Sequence, residues 1–213
     1  MQNQRLSCVS YSVVRFPPIF LKNHLHPTTS FHIIQGRQIS DQEHHSQMIV
    51  IGIDPGLARL GYGVIEISGE EKLPVCYGCI ETSGKNQSAP ERLLKIYAGV
   101  ESLFEKYSPD HLSLEKLFFT KNISSAMVVS EVRGIVLLTA AQKNIPVSEY
   151  TPNQVKQAIT GSGRADKYQM QEMIKRLLHL DEIPKPDDAA DALSIALCHI
   201  HIMRLYNDRT SLR

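Results

Sequence analysis

The sequence predicts a single α/β domain built on a mixed five-stranded sheet flanked by helices. Residues 49–54 (IVIGID) are apolar or Gly up to Asp54, as in a buried central strand. Two more strand-like runs follow directly, with a turn predicted within residues 69–74. Helical and strand-like segments then alternate along the chain, which is typical of a sheet covered by helices.

Each element follows from its periodicity or from its boundary signals. Apolar residues recur at helical spacing over 88–107, and Pro109 ends that helix. Pro146 separates a long apolar helix from the last strand, and Asp166 is a suitable N-cap for a later helix. The predicted strands are 49–54, 61–67, 75–82, 111–115 and 147–150; the predicted helices are 88–107, 122–143, 152–160, one from 166 to before Pro184, and 187–206.

The first 47 residues differ from the rest of the chain. They hold five of the nine His residues, no acidic residue before Asp41, and no strand-like or helical periodicity. We expect residues 1–47 to form a disordered extension, either a targeting segment or sequence upstream of a true start at Met48. The segment contains only four basic residues, which favours the second interpretation. The predicted domain covers residues 48–206, and residues 207–213 are expected to be a short tail.

Composition excludes some classes of protein. With 213 residues, 42% of them hydrophobic, the chain is long enough for a complete core. No apolar run reaches the roughly 18 residues of a membrane span, so no membrane partner is expected. The four Cys residues are scattered, which fits a reducing compartment, and we expect a cytoplasmic protein. Cys76 and Cys79 match C-x-x-C but lie in a strand, where they would face opposite sides, so neither zinc nor redox chemistry is expected.

Charge is unevenly distributed. Residues 1–47 hold four basic and two acidic residues, so the net charge falls from +1 for the chain to −1 for residues 48–213. Residues 116–176 carry nine Lys or Arg and four acids, and residues 177–191 carry five acids and one Lys. A basic stretch beside an acidic one is consistent with a metal-dependent enzyme acting on a polyanion, although such stretches are usually solvated surfaces.

Two carboxylates end predicted strands. Asp54 closes the first strand and Glu115 the fourth, although Asp and Glu are depleted in strands. Ligands of α/β sheets bind at strand carboxyl ends, and a charge held against a core is costly unless it is paired or bound to a cation. Asp54 could also be an ordinary turn residue, because Pro55 and Gly56 follow it.

Further carboxylates begin the last helix, where Asp188 and Asp191 share one face at a spacing of three residues. They could simply stabilise the helix start, as could Asp187. If they converge with Asp54 and Glu115, they complete an all-oxygen site of the kind that suits Mg²⁺ or Mn²⁺. Two such ions can assist an in-line phosphoryl displacement.

Several stretches together resemble the RuvC-type Holliday junction resolvases in order and spacing. They are 52-GIDPG-56 with 61-GYGVI-65, 114-LEKLFFTKN-122, 151-TPNQVKQAITGSGRADK-167 and 187-DDAADALSIA-196. The resemblance covers residues 48–213 and none of 1–47. It implies a ribonuclease-H-like fold, a homodimer, and a Mg²⁺-dependent endodeoxyribonuclease that resolves four-way DNA junctions by paired symmetric nicks in recombination and repair.

The resemblance also implies roles for particular residues. The catalytic and metal-binding carboxylates would be Asp54, Glu115, Asp188 and Asp191, with two Mg²⁺ ions or Mn²⁺ in their place. Asp187 is not an expected ligand. Either Phe118 or Phe119 would stack on bases at the crossover, although each could instead pack in the core. The expected DNA contacts are Phe118, Phe119, Lys121, Lys156, Arg164 and Lys167. The RuvA–RuvB branch-migration complex is the expected protein partner.

Three alternatives compete with this interpretation. Asp-x-Gly after a first strand also opens the actin-like and sugar-kinase ATPases, but those need a second phosphate loop and a longer, two-domain chain. A related nuclease acting on RNA–DNA hybrids is disfavoured by the QVKQ and GSGRADK stretches. A junction-binding module without catalysis would gain nothing from carboxylates concentrated near DNA, and metal removal would leave its function intact.

Overall fold

The computed structural model of the protein describes residues 47–117 and 123–211, together with a two-residue strand at 32–33. For residues 32–33, 123–125 and 207–211 the description is limited to the backbone. The strands are β1 (His32–Ile33), β2 (Met48–Asp54), β3 (Arg59–Ser68), β4 (Glu71–Glu81), β5 (His111–Glu115) and β6 (Val147–Tyr150). The helices are α1 (Ala89–Tyr107), α2 (Ile123–Gln142), α3 (Pro152–Thr160), α4 (Lys167–Leu177) and α5 (Asp187–Ser211).

The strands form one mixed sheet in the order β1-β4-β3-β2-β5-β6. β2, β3 and β4 run antiparallel to one another, whereas β5 pairs in parallel with both β2 and β6. The five predicted strands and the α/β class are confirmed. β1 is an additional strand that pairs with β4, and two residues are too few for any periodicity to show in the sequence.

Helices cover both faces of the sheet. Successive residues of β2 point to opposite faces: Ile51 packs in the core beneath α1 and α2, and Val50 packs in the core beneath α3, α4 and α5. Both side chains are fully buried. β2 is therefore central, which is why its sequence is apolar on both sides. Among the described helices, none is long and apolar enough to cross a membrane.

Local signals fix the helix starts near the site. The side chain of Thr151 accepts a hydrogen bond from the backbone N–H of Gln154 at the start of α3. Asp166 caps α4 in the same way, accepting from Gln169 at 2.8 Å, as its sequence position predicts.

Two boundaries differ from the prediction. The β3–β4 turn lies at residues 69–70, and Pro74 sits within β4 rather than in the turn. A register irregularity between Val64 and Ile65 accommodates Pro74, since a proline that cannot donate a ladder hydrogen bond is tolerated at a bulge. Helix α5 continues past Tyr206 to Ser211, so residues 207–211 are helical rather than a tail.

Candidate active site

Asp54 and Glu115 end two neighbouring parallel strands. β2 and β5 pair up to Ile53 and Leu114, each one residue before a carboxylate. Because parallel strands have their carboxyl ends at the same edge of a sheet, the structure brings the two acids to one place. Both side chains are partly buried.

Three glycines bring α5 into direct contact with this part of the sheet. A Cβ atom on Gly61 would lie 2.0 Å from the backbone oxygen of Asp188, and one on Gly52 would lie 2.1 Å from that of Ala192. A Cβ on Gly63 would meet the Leu193 side chain at 2.7 Å. Gly61 is also the cross-strand partner of Asp54. The first turn of α5 therefore packs beside the carboxylate that ends β2.

Asp188 and Asp191 lie on this first part of α5, and each faces a cation. Arg59 Nε is 2.9 Å from Asp188 Oδ2. That oxygen is buried and accepts no hydrogen bond, so the pair is electrostatic without being aligned as a hydrogen bond. Lys167, the first residue of α4, places Nζ 3.7 Å from Asp191 Oδ2.

Asp187 differs from these two aspartates. It is exposed, its Oδ2 lies 2.9 Å from Lys167 Nζ, and its Oδ1 accepts a hydrogen bond from Gln171. The hydrogen bond from Lys167 lowers the pKa of Asp187. Asp187 therefore lies on the solvent side of the helix start and holds Lys167 in position.

Burial and mutual repulsion raise the pKa of three carboxyl groups. The pKa of Asp54 rises to about 7, chiefly through burial and then through repulsion by Asp191, Glu115 and Asp188, with Lys167 acting in the opposite direction. Burial, followed by the charge of Asp191, raises the pKa of Glu115. Burial also raises the pKa of Asp191, and Lys167 opposes it. The four carboxylates are therefore close enough for their negative charges to interact.

The donor set fits a hard divalent cation. Within residues 47–117 and 123–211, no three His, Cys, Asp or Glu side chains are oriented to hold one ion together. Asp188 and Asp191 are turned to Arg59 and Lys167, as expected of acids that repel one another. All four groups nevertheless offer carboxylate oxygens, the ligands that Mg²⁺ and Mn²⁺ prefer. The buried Asp188 Oδ2 accepts no aligned hydrogen bond and has only the charge of Arg59 beside it, so it is suited to such an ion.

The expected DNA contacts are spread more widely. Lys156 lies partly buried on α3, and Arg164 is exposed in the loop before α4. Arg164, His201 and Arg204 line an open depression of about 1070 Å³. At the helical rise, His201 and Arg204 lie about 15–20 Å along α5 from Asp191, whereas Arg164 precedes Lys167 by only three residues. Phe118, Phe119 and Lys121 fall outside the described residues.

Sequence reasoning missed two arginines. Arg59 pairs with Asp188, and Arg133 of α2 donates a hydrogen bond to the backbone oxygen of Glu115 at 2.9 Å. The available signal for Arg133 was its position in a helix whose only other charged residue is Glu131. For Arg59 the signal was weaker: a basic residue five positions after Asp54, at the start of the next strand.

A cluster of carboxylates at the carboxyl ends of a mixed sheet, with helices on both faces, defines a ribonuclease-H-like nuclease. Comparisons with known proteins agree. The profile of the family described as "Crossover junction endodeoxyribonuclease RuvC" matches residues 50–199. The RuvC of Desulfitobacterium hafniense is 52% identical over 160 residues, which cover 75% of this chain and 96% of that protein. The RuvC of Pseudothermotoga lettingae is 50% identical over 158 residues, covering 74% and 97%.

A solved structure supports the same assignment. The T. thermophilus RuvC in complex with a Holliday junction substrate superposes with a TM-score of 0.71 at 36% identity, covering 74% of this chain and 96% of that one. The chain belongs to the RuvC family of crossover junction endodeoxyribonucleases, and it is an enzyme of that class. The ATPase and non-catalytic alternatives are thereby excluded.

Proposed function

We propose that Asp54, Glu115, Asp188 and Asp191 bind two Mg²⁺ ions and, with them, hydrolyse phosphodiester bonds at a four-way DNA junction. The observation that carries this proposal is the close packing of Gly61 against Asp188. It holds the carboxylates of α5 beside those that end β2 and β5. Among the Asp and Glu side chains in the described part of the chain, a raised pKa is found only at Asp54, Glu115 and Asp191.

In the proposed reaction the carboxylates bind the cations and Lys167 contacts the phosphate. Divalent cations bound to the carboxylates would supply the Lewis acid that activates water and stabilises the leaving oxygen. Asp54 and Glu115 are held by strand ends, and Asp188 and Asp191 by a helix packed on the sheet, so the backbone is in place and the side chains would have to turn to reach an ion. Lys167 is about half exposed beside Asp191 and can neutralise the phosphate under attack. Cleavage of the P–O3′ bond leaves a 5′-phosphate and a 3′-hydroxyl.

DNA contacts outside the carboxylates would provide affinity and selectivity. Lys156, Arg164 and Lys121 would offset backbone charge without reading sequence. One of Phe118 and Phe119 would stack on a base where strands separate, a contact worth about 1–3 kcal/mol. Such stacking is favoured at a crossover over an intact duplex, which would give the enzyme its preference for junctions.

Paired symmetric nicks require two active sites, and we propose a homodimer formed through α2. This helix is rich in apolar residues, and it exposes Met127 (63%) and Leu138 (58%). Exposed apolar side chains on one helix are suited to an interface with a second copy. The RuvA–RuvB complex is the proposed partner in branch migration. A cytoplasmic location is also part of the proposal, supported by the free thiols of Cys76, Cys79 and Cys198.

The test is cleavage of a synthetic four-way junction, with a linear duplex of matched sequence beside it, in Mg²⁺. We expect symmetric nicks in the junction alone and their loss in Asp54→Asn. Asp181→Asn is the matched control for the loss of one negative charge, because this aspartate is exposed and precedes α5; its nicking rate should equal that of the wild type. Junction binding without nicking in Mg²⁺ or Mn²⁺ would refute the catalytic site. Full activity of Asp54→Asn would do the same.

A further inference from the structure

Arg133 lies on α2 with its guanidinium bound to both strand ends beside the carboxylates. One terminal nitrogen donates a hydrogen bond to the backbone oxygen of Glu115 at 2.9 Å, and the other forms an ion pair with Glu149 of β6. Only 12% of the Arg133 side chain is exposed. A single side chain of α2 is therefore fixed to the last residue of β5 and to the strand beside it.

Burial of the Arg133 side chain is unfavourable in free energy unless its charge is compensated. Burial of a guanidinium requires compensating partners, and burial lowers the pKa of Arg133. The neighbours Val132 and Val136 are fully buried against the core, as an apolar helix predicts. An apolar residue at position 133 would pack in α2 without this cost. The contacts that Arg133 makes, rather than helix formation, account for its presence.

The two partners of Arg133 belong to one hydrogen-bonded pair of strands. Leu114 pairs with Glu149, and Glu115 pairs with Tyr150. The backbone N–H of Lys116 then donates to the oxygen of Tyr150 at 2.7 Å. A planar guanidinium with donors in a fixed fork can bind a carbonyl and a carboxylate together. The backbone of Glu115 is thus held by β6 and, through Arg133, by α2.

The chain between Glu115 and α2 includes residues 118–122, where the sequence places DNA contacts. The hydrogen bond of Arg133 joins Glu115, which precedes this segment in the sequence, to α2, which follows it. Movement of α2 would be passed directly to Glu115, because the guanidinium has contacts at both strand ends. α2 is also the helix that we propose for the dimer.

We propose that Arg133 is a positioning residue. It orients Glu115 for divalent-cation binding and couples the position of the Glu115 carboxylate to the position of helix α2. The inference rests on the proposed role of Glu115 as a metal ligand. It predicts that loss of Arg133 weakens cation binding without removing any ligand. Groups outside the ligand shell commonly affect metal affinity or activity by about 10–100-fold.

Three variants separate positioning from a merely structural role. Arg133→Met with Glu149→Gln removes the ion pair without leaving the Glu149 carboxylate unpaired. Arg133→Lys keeps the charge but lacks the fork that reaches both partners. The matched control is Lys143→Met with Glu105→Gln, because this pair (3.2 Å) joins the residue after α2 to α1, away from the carboxylates.

The measurement is calorimetric titration of the full-length protein with Mn²⁺ alone, with junction binding in EDTA and urea unfolding measured beside it. We expect Mn²⁺ affinity to fall by about tenfold or more in the Arg133/Glu149 double variant and by less in Arg133→Lys. The control should keep wild-type affinity, and junction binding in EDTA should not change in any variant. If the double variant does not fold, the Mn²⁺ affinity of Arg133→Lys tests the inference.

Wild-type Mn²⁺ affinity in a folded Arg133 variant would overturn the inference. Glu115→Gln is titrated in the same series, so that the two proposals can fail separately. If Glu115→Gln loses Mn²⁺ binding while the folded Arg133 variants retain it, only the positioning role is wrong. If Glu115→Gln binds Mn²⁺ like the wild type, Glu115 is not a ligand, and the proposed site itself is wrong.

Discussion

Arg59 Nε lies 2.9 Å from Asp188 Oδ2, so this cation would compete with a metal ion for the carboxylate in the proposed site. The Arg59 side chain is half exposed, at 50%, whereas that of Asp188 is 25% exposed. The arginine can therefore leave for solvent or for a DNA phosphate, while the aspartate cannot move away from the sheet. Arg59 is well placed to neutralise Asp188 until a divalent cation replaces it.

Arg59→Met should increase the stabilisation that Mg²⁺ gives to the protein. Without metal, the variant loses an ion pair worth up to about 1 kcal/mol at such exposure, and Asp188 keeps an uncompensated charge. With Mg²⁺, no side chain competes for the carboxylate, so the ligand-linked rise in Tm should exceed that of the wild type. Thermal unfolding in EDTA and in Mg²⁺ measures both effects.

Arg204→Met is the matched control for this prediction, because Arg204 pairs with the exposed Glu70 at 2.7 Å and far from the site. Its Mg²⁺-induced rise in Tm should equal that of the wild type. An equal or smaller rise in Arg59→Met would show that Arg59 does not compete with the metal.

Gly61→Ala should impair both stability and nicking. The added Cβ would lie 2.0 Å from the backbone oxygen of Asp188, a contact that requires α5 to shift. Overpacking of this kind costs about 1–3 kcal/mol, occasionally more, and a shift of about 1 Å at the carboxylates can lower the rate about 100-fold. Urea unfolding and single-turnover nicking at saturating Mg²⁺ measure these losses.

The same substitution at Gly134 provides the comparison. Gly134 lies in α2, and within one chain a Cβ added there would meet no atom of another element within 4 Å, so the free energy of unfolding of Gly134→Ala should be unchanged or higher by up to about 1 kcal/mol. If Gly61→Ala matched Gly134→Ala in stability and rate, close packing of α5 would not determine the geometry of the site.

The charge of Asp54 should make the metal-free protein less stable at high pH. Between the ordinary pKa of 3.8 and about 7, folded Asp54 keeps a proton that the unfolded chain has released. The free energy of unfolding therefore falls as pH rises through this window, and the full cost remains above it. In EDTA, Asp54→Asn should raise Tm at about pH 8 and have much less effect at about pH 4, where folded Asp54 is as neutral as the asparagine.

In Mg²⁺ at about pH 8, the wild type should have the higher Tm of the two proteins, since it gains the binding energy of the ion and Asp54→Asn does not. Asp181→Asn, at an exposed position, controls for the change in net charge. A difference in Tm that is the same at both pH values in EDTA would contradict a raised pKa at Asp54.

Much of the fold follows from local sequence. β2 was predictable because a short apolar run ended by Asp54 and Pro55 is typical of a buried strand. α3 was predictable because Thr151, Pro152 and Gln154 form a strong helix start. The carboxylates were predictable as a set because each stands at the end or start of a well-marked element. Pro74 was misplaced because a bulge depends on the pairing of two strands, and neither strand encodes it alone.

The supporting residues could not be predicted in the same way. Arg59 acquires its role only when α5 packs on β3, and Arg133 only when α2 crosses the ends of β5 and β6. Both contacts join residues that are distant in the chain, and a single sequence holds no signal for such pairs. Sequence alone therefore predicted the family and the candidate carboxylates but not the arginines that contact them.

Main-chain atoms of Gly61 and Asp188 determine how closely helix α5 packs on β3. Since the backbone oxygen of Asp188 faces Gly61 with no intervening side chain, helix α5 already lies as close to β3 as it can come. A longer acid on α5 would therefore have to push its oxygens toward the other carboxylates or move the helix away from the sheet. Asp191→Glu would project its oxygens one methylene further into the proposed site, which should tolerate a different metal more readily than a different acid.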